Sequence, residues 1–116
     1  MAEGVSDARI AEIDRVFTAR EAAIVEWAEA LPGTPEDEAG ARLEAAAQAV
    51  VDALTGAIWA EPVTQWAQLG PLARIAEHWL QMSKGTVCAD CDEATRQLIE
   101  GVRALTGLTD LPPVAQ

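Results

Sequence analysis

From Asp7 to Ala60 the apolar residues return every three or four positions, and the rhythm breaks at one place, Leu31-Pro32-Gly33-Thr34-Pro35. Such spacing lines one face of a helix with apolar side chains, and closely placed Pro and Gly stop a helix where they stand. In the first segment the face is Ile10, Ile13, Phe17, Ile24, Trp27 and Leu31, with Arg20 where an apolar residue is due. Val16, Ala23 and Ala30 form a second strip beside it. In the second segment the face is Leu43, Ala47, Val50, Leu54 and Ala57, flanked by Val51 and Ile58. Two heptad-like faces joined by a short connection predict an antiparallel helical hairpin.

Capping residues set the boundaries. Ser6 suits the N-cap of a helix running from Asp7 to Leu31. Thr34 and Pro35 open a second helix that reaches Ala60, and Glu36, Asp37 and Glu38 complement its dipole. Gly56, inside that helix, costs about 1 kcal/mol relative to Ala, which a close helix crossing would explain. Pro62 ends the helix. Shorter helices follow at Pro62 to Leu69 and Pro71 to Met82, divided by Gly70-Pro71, and the latter carries Leu72, Ile75, Ala76 and Trp79 on one face. Asp90 and Glu93 have the form of a capping box for a last helix, Cys91 to Thr106. Its face is Ala94, Leu98, Val102 and Leu105, with Ile99 beside it, and Gly107 is its natural stop. Strand-like alternation is absent. The expectation is an all-α helical bundle in one domain, 1–116: a long hairpin over 7–60, shorter helices over 61–107 and an extended tail over 108–116.

Half of the 116 residues are hydrophobic, enough for a real core. The net charge is −11, from 19 acids and 8 bases. That balance repels nucleic acid and anionic membranes and attracts a basic partner surface. The bases are scattered, against a conventional DNA-binding patch. The N-terminus lacks the basic and apolar regions of a signal peptide, and no apolar run spans a bilayer. The expected location is cytoplasmic, with Cys88 and Cys91 as reduced packing residues.

Three groups of residues could carry function. Cys88-Ala-Asp-Cys91 has zinc-like spacing, and His78 is a third candidate ligand, but a structural zinc needs four; no metal and no cofactor are expected. His78 has no visible catalytic partner, and no phosphate loop, nucleophile elbow or HExxH motif occurs, so no catalytic residue and no enzyme are expected. Trp59, Trp66 and Trp79 bracket a bent segment around Pro62; each is either a core anchor or an interface anchor. Arg20 either snorkels or pairs with an acid on a neighbouring chain.

The order of Trp59, Pro62 and Trp66, the apolar Leu72-Ala73-Arg74-Ile75-Ala76, a helix with Arg96 and Arg103, and Gly107-Leu108-Thr109 resembles the small terminase subunits of tailed phages, especially those of actinobacterial hosts. The resemblance covers residues 58–112. In the family pattern Pro follows the Gly-Leu-Ser/Thr signature directly; here Asp110-Leu111 intervene before Pro112. The resemblance implies a non-enzymatic DNA-packaging adaptor that forms a homo-oligomeric ring and docks on the large terminase subunit, with Trp59, Pro62, Trp66, Trp79 and Arg20 as interface residues. Many family members carry a basic helix-turn-helix or tail. This acidic chain has neither, which argues against direct DNA binding. The alternative class is a small acidic helical interaction module, an inhibitor or DNA mimic, that covers a basic surface.

Overall fold

The computed structural model describes residues 2–83 and 88–107, with side chains from Ser6 onward. Among these residues there are four α-helices: α1 (Ala2–Glu29), α2 (Pro35–Ala60), α3 (Leu69–Ser83) and α4 (Ala89–Thr106). A single 3-10 turn, Trp66–Gln68, precedes α3. Among the described residues there is no strand, and no helix is long and apolar enough to cross a membrane. The expected loop at 84–87 and tail at 108–116 lie outside the described residues.

The hairpin forms as its spacing predicts. Contacts between Arg9 and Glu61, Arg20 and Glu44, and Trp27 and Asp37 run in opposite senses along α1 and α2, so the pair is antiparallel. At the tip, the Thr34 hydroxyl accepts the N–H of Asp37 and donates to the Leu31 carbonyl, 2.6 Å away. The Asp37 carboxylate accepts the N–H of Gly33 at 2.9 Å and the indole N–H of Trp27 at 2.6 Å. These two donors, Gly33 first, hold its pKa below the usual carboxylate range.

The α3 helix runs parallel to α1, because Ser6 meets Ala67, Asp14 meets Arg74 and His78, and Arg20 meets Met82. With 15 residues α3 is about 22 Å long, against about 42 Å for the 28 residues of α1. The hairpin therefore extends past α3 as a two-helix arm, in a molecule of 55 × 42 × 19 Å. The core lies where α1, α2 and α3 meet. Phe17, Ile13, Ile75 and Val51 are its largest fully buried side chains, and Ala94 of α4 closes it from the far side of α3.

Several boundaries and faces differ from expectation. Ser6 lies inside α1, and its hydroxyl donates to the Ala67 carbonyl at 2.7 Å, a tertiary bond in place of a cap. Residues 62–65 are not helical. Gly70-Pro71 sits in the first turn of α3, where a missing proline N–H leaves no helical bond unmade. The N-cap of α4 is Cys88, whose sulfur accepts the N–H of Cys91, so Asp90 lies within the first turn. Gly107 ends α4 in the left-handed region at φ 73°, as expected. The largest correction concerns α2. Its inward face is Gly40, Val51, Thr55 and Ile58, while Leu43, Val50 and Ala57 are exposed. The close crossing is at Gly40, packed on Trp27; Gly56 faces open space.

Candidate functional site

The connector between α2 and α3 carries the surface features that the sequence marks. Pro62 leaves Glu61 in extended geometry at the end of α2. The Gln68 side chain then organises the loop: its oxygen accepts the N–H of Thr64 at 2.6 Å and of Gln65 at 2.9 Å, and its amide donates to the Pro62 carbonyl at 3.0 Å. Ser6 of α1 ties the turn to the body through Ala67. On this pinned turn Trp66 stands 60% exposed, with Pro62 exposed nearby. A small cavity of about 80 Å³ opens beside it, lined by Ile58, Val63 and Leu72 and by the ion-paired Arg9 and Glu61.

Trp59 and Trp66 do not share a helix face, because Pro62 ends α2 between them. Trp59 is half-buried against the core. Trp79 is buried and meets Phe17 edge to face at 5.4 Å. Arg20 is also turned inward: its guanidinium lies 3.7 Å from Glu44, 3.7 Å from the Met82 sulfur and 6.0 Å from the centre of the Trp79 ring. Trp79 and Arg20 are thus removed from the candidate interface. The acid that Arg20 pairs with belongs to its own chain.

A second cluster joins α1 to α3. Asp14 accepts two bonds from Arg74, at 2.7 and 3.0 Å, and lies 2.7 Å from Nε2 of His78. The imidazole stacks on Phe17, centroid to centroid 4.6 Å. The bond from Arg74, then that from His78, lowers the Asp14 pKa to about 2. The adjacent cavity is lined by Arg74, Glu77, His78 and Gln81, so it offers no hydroxyl or thiol for a His–Asp pair to activate. The arrangement is a bidentate clamp between helices. Because Asp14 binds its proton less readily when folded, its contribution is fully present above the ordinary aspartate pKa and is lost as pH falls through about 2. Asp14→Asn is expected to destabilise the fold at pH 7 by about 1 kcal/mol, the figure for a partly exposed and screened pair. In urea titrations the gap between variant and parent should close from about pH 4 down to pH 2. A gap that stays constant over this range would show that the carboxylate charge is not what matters.

Cys88 and Cys91 are joined as a disulfide, with Cα atoms 5.3 Å apart, and neither is free. The expectation of two reduced packing cysteines is overturned: Cys88 at the N-cap and Cys91 one turn later point the same way. Cys91 is buried, its sulfur 3.3 Å from the Trp79 carbonyl. His78 is committed to Asp14, and among the described residues no group of three or more His, Cys, Asp or Glu could hold a metal ion. Two residues that matter here escaped sequence reading. Asp14 and Gln68 each have an ordinary helical context, and only the partner brought to them by the fold gives them a role.

No protein-family model, curated protein or solved structure matches the chain.

Proposed function

We propose that this chain is a non-enzymatic packaging adaptor of the small-terminase kind, which assembles with copies of itself into a ring and docks on a large terminase subunit through the Trp66 connector. The observation that carries the docking role is a tryptophan 60% exposed on a turn pinned by Gln68 and Ser6. Large exposed aromatics on rigid backbone bind partners without an ordering cost, and tryptophan is enriched among residues that dominate interface energies. The net charge of −11 favours a basic protein surface over DNA as the partner.

Calorimetry against the cognate large terminase subunit tests the reading. Trp66→Ala should weaken binding at least tenfold while leaving helicity unchanged, since the indole supports little of the core. Absence of binding by the parent chain at tens of micromolar would sink it. The acidic interaction module is the second reading. Glu26, Glu29 and Glu36 line one groove at the hairpin tip and supply a local acidic surface for it. Salt-sensitive binding to a polybasic protein that ignores Trp66→Ala would favour that class.

A further inference from the structure

We infer that the solvent face of α2 is a self-association surface on which a second copy of this chain docks antiparallel about a two-fold axis. A two-fold contact pairs copies and does not by itself close a ring, so this goes beyond the proposed function, and it is independent of docking through Trp66. The face holds Ala39, Leu43, Ala46, Val50, Ala53 and Ala57, spaced 4, 3, 4, 3 and 4, and every one of them is exposed. Leu43 is 47% and Val50 52% exposed. This is the period of a coiled-coil seam, and small residues in it let helices approach closely. Within the chain α2 spends its other face on α1 and α3, so the seam has no partner among the described residues.

Charge identifies the occupant. The chain carries 19 acids, yet from Arg42 to Ala57 the positions beside the seam hold Ala47, Leu54, Ala49, Gly56 and a single charge, Arg42; Glu36 borders only its first turn. The acids of this part of α2 point away: Glu44 toward Arg20, and Asp52 toward Gln48. Along the α2 seam itself, two copies can meet without placing carboxylates of that helix against each other. Shape agrees. Two shallow grooves run between α1 and α2 on the same side, of about 550 and 480 Å³, one bordered by Leu43 and the other by Val50 and Leu54. A two-fold axis midway between them sets Leu43 of each copy over the groove at Val50 and Leu54 of the other. The first groove carries Glu26, Glu29 and Glu36; the second carries Arg15 and Glu12, themselves ion-paired. Parallel docking would stack the acidic tips. Antiparallel docking separates them and sets each against the Arg15–Glu12 pair, which carries no net charge. The seam is about 28 Å long and a two-helix face about 20 Å wide, which gives roughly 600 Å² per copy, near the ~800 Å² of a standard interface.

Light scattering at 10–200 µM protein in moderate salt tests the inference. The parent chain should show a dimer or an even multiple of it, holding or tightening as salt rises, because salt screens the repulsion between copies. Val50→Glu introduces an acid at an exposed helical position, so the circular dichroism of a folded chain should persist while the dissociation constant rises at least tenfold. Ile99→Glu, equally exposed but on α4, should leave the mass unchanged. For orientation, Ala39→Cys and Ala57→Cys chains should cross-link when mixed under mild oxidant, and Ala39→Cys alone should not. A monomeric parent, an odd-numbered assembly, a folded Val50→Glu chain of unchanged mass, or cross-linking of Ala39→Cys to itself would each overturn the inference. Trp66→Ala is read by partner binding and Val50→Glu by mass, so the two proposals fail separately.

Discussion

Phe17→Ala should lower the stability of the fold by about 3–5 kcal/mol, the range for emptying a buried aromatic position. Phe17 is fully buried where α1 meets α3, one ring face stacked on His78 at 4.6 Å and Trp79 against it edge-on at 5.4 Å. Truncation to Ala opens a cavity that these neighbours cannot close, since His78 is held by Asp14 and Trp79 is packed in the core. It also removes the ring that fixes the imidazole, so the clamp between Asp14, Arg74 and His78 loosens with it. A loss of this size is a large share of the 5–15 kcal/mol that stabilises a typical domain. It should appear as a drop of more than about 10 °C in Tm by circular dichroism. Leu80→Ala, on the same helix as His78 but 57% exposed, should change stability by less than about 0.5 kcal/mol. Comparable losses in the two variants would mean that α3 meets α1 by a different face.

The fold was legible in the sequence because its signals are local. Pro35 after Thr34 and Gly107 after Thr106 mark helix ends that the structure keeps, and both depend only on nearby backbone groups. The faces were harder to read. Leu43 and Val50 outrank Gly40 and Thr55 in hydrophobicity, so the spacing of large apolar residues selects the wrong side of α2. The true inward side is set by what α1 and α3 need: Gly40 admits Trp27, and the Thr55 hydroxyl is satisfied by the carbonyl of Val51. A helix with two apolar sides cannot announce which one faces its own chain. The connector was misread for a related reason. Residues 62–65 lack a helix breaker after Pro62, and it is a side chain, Gln68, that captures the N–H groups a helix would have used. Of the residues marked as interface, Pro62 and Trp66 are on the surface and Trp59 is half-buried. Trp79 and Arg20 went inward, because aromatic content and a charge out of place suit a core and a tether as well as an interface.

Gly40→Ala and Gly56→Ala should move stability in opposite directions, although both replace a glycine within the same helix. The intrinsic gain is common to the two, about 1 kcal/mol for Ala over Gly in a helix interior. At Gly56 a new Cβ meets nothing within 4 Å, so the gain is realised and the variant should be about 1 kcal/mol more stable. At Gly40 the Cβ would lie 2.9 Å from Cδ1 of Trp27, 3.0 Å from its Cβ and 3.0 Å from its Cα. The last of these is backbone, which no rotamer change can move, so α1 and α2 must separate at the tip. Overpacking of this kind costs about 1–3 kcal/mol, and the displaced Trp27 also strains its 2.6 Å bond to Asp37, one of the contacts that lock the turn. The net effect at Gly40 should be a loss of up to about 2 kcal/mol, leaving the two variants roughly 1–3 kcal/mol apart in urea denaturation. Amide exchange adds a readout that overall stability does not give: residues 27–40 should lose protection in Gly40→Ala while the core of α3 keeps it. Equal stabilisation by both substitutions would mean that the hairpin does not close on Gly40.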